Sequence, residues 1–373
     1  MVVSFVIISL GLLAGLLVLW RIPLACQVPD FPDHDSKKLA RRVTVIIPAY
    51  NEAKRLPALL ASLKAQDIRP HELIVVDDAS TDATRSIAQQ AGFHVLDADT
   101  ALSDWVGKSR ACWSGAQAAT GDWLLFLDAD TRLSEPDSLR RILTTFQSLG
   151  GRGGLSLQPW HTIERFCENL SVVFNIIVMA GIGVFTPWGT RLRGAGLFGP
   201  CLLCNRQDYF EVGGHQAIHD QVMDDLALGR SLQKAGLPAH CRGGRGVLTF
   251  RMYPEGLRSL WEGWSKNMCS GAAATHPLVF ALIILWICAG FSCLTVVIKA
   301  IGGPPLVLAA ACFATLLYAL LFIRMARLCG RFWRWPLLLF PVFLTFFTLV
   351  FLWSLLLTRV LHVVTWKGRR IKV

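Results

Sequence analysis

Leu73-Ile-Val-Val-Asp77-Asp78 and Trp123-Leu-Leu-Phe-Leu-Asp128-Ala-Asp130 decide the fold of this chain. Each is a short apolar run that stops abruptly on carboxylates. Such runs, closed by a turn signal, read as strands buried on both faces. Val43-Thr-Val-Ile-Ile47, ended by Pro48, is a third run ahead of them. Helical patterns lie between, from Asn51-Glu52 through Leu63, over Ser86–Gln90 and over Lys108–Ala119, with a brief strand at Val95-Leu96. Strands alternating with helices predict an α/β domain with a mostly parallel, Rossmann-like sheet, whose ligands bind at the carboxyl ends of the strands. The carboxylates stand at those ends. Burying an unpaired charge is expensive, so they are poor core and good material for a cation or a polar ligand.

Outside this domain the composition changes. Of 373 residues, 53% are hydrophobic and only 17% charged, too apolar for a purely soluble protein. Residues 2–20 carry no charge and come to about the 20 residues that a bilayer requires. Leu278–Ile298, Pro304–Ile323 and Pro336–Leu357 are later apolar spans. Residues 166–188 are apolar too, but Glu168, Asn169 and Asn175 interrupt them, which predicts a helix in the interface or along a lipid-accepting groove. The net charge of +11 gathers at the borders of these segments, at Lys37, Lys38, Arg41 and Arg42 and again at Arg324, Arg327, Arg331 and Arg334. Anionic lipid and topology account for it. Nucleic acid does not, since the chain has no aromatic-basic RNA motif or helix-turn-helix pattern.

A cleaved signal peptide carries its basic residues ahead of the apolar run. Here Arg21 comes after it, which favours an anchor with the following domain in the cytosol. The expected organisation is an N-terminal membrane anchor at 1–21, a linker at 22–42, the α/β domain at 43–275, a transmembrane region at 276–358 and a basic tail at 359–373. The protein is expected to be multi-pass in the cell membrane. Three full late spans would place the tail from Trp366 to Arg370 outside, against the positive-inside tendency; a re-entrant or in-plane late segment would remove the conflict. The eleven cysteines are scattered, with Cys201-x-x-Cys204 the one close pair, and they read as reduced thiols rather than a zinc site.

Three groups carry chemistry. Asp128 and Asp130, one residue apart at a strand end, can both turn toward one hard divalent cation, Mg²⁺ or Mn²⁺, bridging them to a diphosphate. Lys108 at a helix start reads either as a phosphate ligand or as a solvated surface lysine. Asp224-Asp225-Leu-x-Leu opens a helix, and its carboxylates read as helix-capping groups or as a general base.

Together with Pro48-Ala-Tyr50-Asn-Glu52 and Val75-Val-Asp77-Asp78-Ala-Ser-Thr-Asp82, these groups resemble the inverting family-2 glycosyltransferases of the GT-A fold. The resemblance implies that Asp78 contacts uracil, with Pro48, Tyr50 and Glu52 around base and ribose and Lys108 near the donor phosphates. It makes Asp130 the main metal ligand and gives Asp128 to ribose or metal. Asp225 becomes the base that deprotonates the acceptor, with Asp224 orienting it or meeting the acceptor. Gly196-Leu-Phe198-Gly199-Pro200 and Gly213-Gly214-His215 resemble the acceptor-side loop. Processive relatives carry Gln-x-x-Arg-Trp downstream. This chain keeps Trp264 but has Leu260 and Gly263 at the Gln and Arg positions, which argues against a cellulose- or chitin-type polymerase and leaves Lys266 or Arg251 to supply the charge.

A narrower set of blocks includes Trp105-x-Gly-Lys108, Ser156-x-Gln158-Pro-x-His161, the Phe-Arg-Met-Tyr run at 250–253 and the terminal Trp-Lys-Gly-Arg. It resembles the 4,4'-diaponeurosporenoate glycosyltransferase group, which esterifies a C30 carotenoid acid with glucose from UDP-glucose. The implied function is hexose transfer from a UDP-sugar to a lipophilic membrane acceptor, with Gln158 and His161 beside the acceptor; His161 reads equally as an interior histidine. Hopanoid, sphingolipid or polyprenyl phosphate are the alternative acceptors. A non-catalytic sugar-nucleotide-binding protein is a further alternative, though a binder has no use for a base. A carboxylic acid acceptor is already ionised near neutral pH, so Asp225 leaves room for a hydroxyl acceptor.

Overall fold

The computed structural model describes residues 1–27, 33–102, 105, 108–192, 194–221, 223–361, 363–366 and 369–372. The chain divides into two compact units: Pro23–Trp160 with Gly196–Arg251, and Met1–Ile22 with His161–Ala195 and Met252–Val373. These boundaries differ from a single 43–275 block, because residues 161–195 pack with the apolar helices. Part of the linker (28–32), Val106, Gly107, and Lys367 with Gly368 in the basic tail lie outside the described residues.

The first unit is built on strands β1 (Val43–Ala49), β2 (Glu72–Asp77), β3 (His94–Asp97) and β4 (Trp123–Leu127), followed by β5 (Thr131–Leu133), β6 (Gly154–Gln158), β8 (Cys201–Asn205), β9 (Ala239–Gly243) and β10 (Leu248–Phe250), while β7 (Trp160–Thr162) has only its first residue in this unit. The main sheet runs β3-β2-β1-β4-β8-β6-β9. β1, β2, β3 and β4 are parallel neighbours, as the alternating pattern predicts. β8 is antiparallel to both β4 and β6, and β6 and β9 are again parallel. The sheet is therefore mixed but mostly parallel, an α/β fold.

β1 continues past Pro48, which was expected to end it. β4 pairs only as far as Ile46, and β2 alone pairs with Pro48 and Ala49. On the unpaired side the missing N–H of proline breaks no ladder bond. The Leu56–Lys64 helix fills one face with Leu59, Leu60 and Leu63, against Val45, Ile47, Val75 and Leu125. On the Ser109–Ala118 helix, a Cβ at Gly115 would lie 2.5 Å from Ile46 Cγ2 and 2.9 Å from Val76 Cγ2. Glycine there lets this helix lie close on β1 and β2, which brings its start, Lys108, over the strand ends.

The second unit is helical. Among the described residues, three helices are long and apolar enough to cross a membrane: Pro277–Ala300, Pro305–Cys329 and Pro336–Arg359. The N-terminal helix Val2–Val18 is shorter, about 25 Å at about 1.5 Å per residue. It carries Gly11 and Gly15 on one face. A Cβ at Gly11 would overlap the Ala289 side chain, and one at Gly15 would lie 2.7 Å from the Trp286 ring. This is small-residue packing of the kind that lets membrane helices approach closely. Residues 11 and 15 meet 289 and 286 in reverse order, so Val2–Val18 runs antiparallel to Pro277–Ala300. The 166–188 segment becomes a 3₁₀ turn at Phe166–Ser171 and a helix at Val172–Gly181, whose Phe174, Ile176 and Met179 are buried. Leu257–Ala274 and Phe340–Arg359 lie side by side and parallel, Trp261 near Phe346 and the Cys269 N–H donating to Ser354 Oγ. The tail pairs its backbone as a hairpin, Val363–Trp366 with Arg369–Lys372.

Gly11→Leu should lower the melting temperature of the detergent-solubilised full chain, by an overpacking cost of about 1–3 kcal/mol. Leu10, which is exposed on the same helix, should tolerate alanine, as thermal unfolding followed by circular dichroism would read out.

Candidate active site

The site forms where β1, β2 and β4 end. The turns after β1 and β2 are joined: Asp78 N–H donates to Ala49 O at 2.8 Å, Asn51 N–H to Ser80 Oγ at 3.0 Å, Glu52 N–H to Thr84 Oγ1 at 2.7 Å and Ala53 N–H to Asp82 Oδ2 at 3.1 Å. Asn51 Oδ1 accepts from Thr81 N–H at 2.8 Å. Asn51 (φ 52°) and Ala79 (φ 62°) both sit in the left-handed region. Strain of that kind persists only where the surroundings over-determine it, and these hydrogen bonds supply the constraint. Pro48, Tyr50, Glu52 and Asp78 are thereby brought to one rim.

Asp78 is buried, and its Oδ1 accepts from Arg110 Nε at 2.7 Å and pairs with Nη2 at 2.5 Å. The sequence reading missed Arg110. Its signal is position, two residues beyond Lys108 and inside the first turn of the same helix.

Lys108 joins the remaining carboxylates. Its Nζ donates to Asp128 Oδ1 at 2.8 Å and to Gly199 O at 3.3 Å, and lies 3.3 Å from Asp225 Oδ2. Burial works against the ammonium charge, but Asp128, Asp225 and Asp224 outweigh it and hold the lysine well above its usual range. A solvated surface lysine is thus excluded. Burial pushes Asp225 up to about 7; Asp224 adds to the rise and Lys108 opposes it. Asp130 is also pushed up to about 7, by burial first and then by the charges of Asp128 and Glu52.

That crowding tests the expected cation. Asp128 and Asp130 offer only hard oxygen donors, and burial, with the charge of Asp128 adding to it, raises Asp130 to about 7. A divalent cation counters that charge, and Mg²⁺ and Mn²⁺ both take such ligands. The residues fit the group.

Asp224 and Asp225 open the Asp224–Lys234 helix. A ring nitrogen of His215 and one carboxylate oxygen from each of them lie within 4.8 Å of one another. The loop 196–199 lies against this helix start. A Cβ at Gly199 would overlap the Asp225 carboxylate, and one at Gly196 (φ 142°) would overlap the backbone of Leu226. Phe198 is buried, its N–H donating to Ser156 Oγ at 3.0 Å. Gln158 is buried at the end of β6, its carbonyl accepting from Gly244 N–H at 2.8 Å.

The other acceptor-side candidates belong to the helical unit. His161 is buried there and stacks on Phe332, ring centroids 5.3 Å apart. Trp264 donates from Nε1 to Ser171 Oγ at 3.1 Å and stacks on Phe174. Lys266 is half-buried on the Leu257–Ala274 helix.

The "Glycosyl transferase family 2" profile matches residues 44–152, the span of the strands and turns just described. The chain is a glycosyltransferase. It belongs to family 2, and it is similar over most of its length to two Staphylococcus aureus proteins named 4,4'-diaponeurosporenoate glycosyltransferase. One is 34% identical over 334 residues, 89% of each chain; the other is 33% identical over 370 residues, 99% of this chain and 96% of that protein. A mannosyltransferase from Pyrobaculum calidifontis, solved in complex with GDP-Man and Mn²⁺, shares the fold with a TM-score of 0.55 at 18% identity, covering 95% of this chain and 99% of that one.

Gly199→Ala should move the Asp225 carboxylate off Lys108. A displacement of this kind costs roughly 10²-fold in rate, so transferase activity should fall by about that factor while the far-ultraviolet circular dichroism spectrum stays unchanged.

Proposed function

We propose that the enzyme transfers glucose from UDP-glucose, with inversion, to a lipophilic acceptor held in the membrane, and that this acceptor is a C30 carotenoid acid. The observation that carries the reading is the Lys108 bridge, 2.8 Å to Asp128 and 3.3 Å to Asp225. One ammonium reaches both the carboxylate at the end of β4, on the nucleotide side, and the carboxylate at the start of the 224–234 helix, on the acceptor side. The printed name of the two Staphylococcus proteins supports the acceptor.

In this mechanism the 48–52 turn and Asp78, fixed by Arg110, hold the uridine. Asp130 with Asp128 would hold Mg²⁺ or Mn²⁺, which when bound acts as a Lewis acid toward the departing diphosphate. Lys108 places a second positive charge beside the same phosphates. Asp225 lies across from them and serves the acceptor oxygen as it displaces the nucleoside diphosphate in one step. The α/β unit works on the cytoplasmic side, with the helical unit in the membrane. The basic residues that follow Val2–Val18 support this orientation.

A lipid hydroxyl is the second reading, favoured by the position of Asp225 near 7. The two acceptors give opposite pH dependence. A hydroxyl needs Asp225 ionised, so the rate should climb as pH rises through about 7. A carboxylate arrives ionised. It accepts a hydrogen bond from protonated Asp225 and is repelled by the ionised form, so the rate should hold below that pH and fall above it.

Membranes containing the chain should be supplied with each UDP-hexose, Mn²⁺ and a C30 carotenoid acid, hopanoid, ceramide or polyprenyl phosphate, and the lipids weighed by mass spectrometry. A hexose added to the carotenoid acid from UDP-glucose is the expected product. A hexose on another lipid replaces the acceptor. Nucleotide binding without product or donor hydrolysis from every pair would overturn the catalytic reading of the site.

A further inference from the structure

His215 takes no part in the mechanism above, yet it is 1% exposed and its ring lies against Phe126 and Tyr209, with centroids 5.2 and 5.8 Å away. The hydrogen bonds around it assign its proton. The Tyr209 hydroxyl oxygen accepts from the backbone N–H of His215 at 3.1 Å and lies 2.8 Å from His215 Nδ1. Tyr209 is itself fully buried. If Nδ1 carried the proton, the hydroxyl hydrogen of Tyr209 would have no acceptor among the described residues, a costly state for a buried donor. Tyr209 O–H therefore donates to Nδ1, and burial keeps the ring neutral, its pKa pushed down to about 4. The remaining hydrogen is on Nε2.

Two buried atoms at this spot have no hydrogen-bond partner among the described residues, His215 Nε2 and Asp224 Oδ2. Asp224 is 8% exposed, and its other oxygen accepts from Asp225 N–H at 3.1 Å. The ring, Asp224 and Asp225 contribute atoms within 4.8 Å of one another. Such a trio reads at first as a metal site, but a metal needs the Nε2 lone pair, and here Nε2 carries hydrogen. Lys108, 3.3 Å from Asp225, already supplies a cation. An anion is disfavoured by the two carboxylates. A hydroxyl satisfies a donor and a carboxylate acceptor together, since it accepts from one and donates to the other. Two hydrogen bonds of about 2.8 Å span up to the 4.8 Å within which a ring nitrogen and one oxygen of each carboxylate lie.

We propose that His215 Nε2–H and Asp224 Oδ2 form a two-point site for one hydroxyl of the donor hexose, with Tyr209 fixing the ring tautomer. This rests on the UDP-hexose reading above, and it makes His215 a specificity-determining residue rather than a structural histidine. The hexose is the favoured source because the site adjoins Asp225 and Lys108, where the transferred sugar must lie, and because a carboxylate acceptor carries no hydroxyl.

The test is donor binding by isothermal titration calorimetry to the full chain in nanodiscs with Mn²⁺. The probes are UDP, UDP-glucose and the 2-, 3-, 4- and 6-deoxy analogues of UDP-glucose. Wild type should bind one deoxy analogue about 10- to 100-fold more weakly than UDP-glucose, because that analogue leaves a buried polar pair unmatched. The Tyr209→Phe/His215→Phe double variant keeps the ring packing and leaves no buried hydroxyl behind. It should weaken UDP-glucose by the same factor and lose the discrimination, while UDP binds as before. His215→Gln, which presents an amide N–H near the Nε2 position, should restore part of it. Equal weakening of UDP-glucose and every deoxy analogue in the double variant, or unchanged discrimination, would overturn the proposal. So would unaltered donor binding with a raised KM for a hydroxylated acceptor, which would assign the hydroxyl to that substrate. Wild type that binds UDP but no UDP-hexose more tightly than UDP would sink the donor reading itself, a result distinct from all of these.

Discussion

Carboxylates from the end of β4 and from a helix start cannot share one pocket without a cation between them, and Lys108 is that cation. Its ammonium meets Asp128 and Asp225 and takes the carbonyl of Gly199 as well. The rest of the α/β unit is arranged to allow this. Gly115 lets the lysine's helix settle onto β1 and β2, Gly199 leaves room for the Asp225 carboxylate, and Gly196 lets its loop close over the start of the 224–234 helix. The lysine does not offset burial and the neighbouring carboxylates fully, since Asp130 and Asp225 both remain near 7. The site keeps a residual demand for positive charge, which a nucleotide-bound cation is suited to meet.

The strand ends were legible because a fully buried parallel strand leaves a continuous apolar run. Val43–Ile47, Leu73–Val76 and Trp123–Leu127 appear in the structure within two residues of where they read. Pro48 misled because a proline's effect depends on which neighbour a strand has at that residue, and pairing partners are not written in local sequence. The antiparallel β8 inside an otherwise parallel arrangement was hidden for the same reason. Asp78, Asp128, Asp130 and Asp225 stood out as charges where core was expected. Arg110 and Tyr209 did not, because an arginine on a helix and a tyrosine near a glycine pair are ordinary in any sequence. Only their three-dimensional partners give them meaning.

The division between the two units was the least legible feature. Residues 161–195 interrupt the α/β unit, and their Glu168, Asn169 and Asn175 read as the polar marks of a helix in the interface or along a lipid-accepting groove. In the structure these side chains are buried and bonded at close range: Glu168 accepts from Glu164 N–H, Asn169 from Trp333 N–H, and Asn175 donates to Ser171 O. Polar residues in an apolar stretch signalled internal hydrogen bonding rather than exposure.

The parallel pairing of the last long helix with Leu257–Ala274 has a consequence for how the chain is threaded into a bilayer. Phe340 touches Tyr318 and Phe322, well inside the Pro305–Cys329 helix, and Leu344 lies against Gly290, yet Ser354 has returned to Cys269, just ahead of the Pro277–Ala300 helix. Arg324 reaches Leu19 O at the end of the N-terminal helix. The last helix thus comes back toward the end of the bundle where Arg21, Arg324 and Arg327 gather. Were the bundle embedded in a bilayer, a helix that starts beside the middle of its neighbours and returns would spare Arg359, at its end, a passage through hydrocarbon, where an arginine costs about 2.5–3.5 kcal/mol.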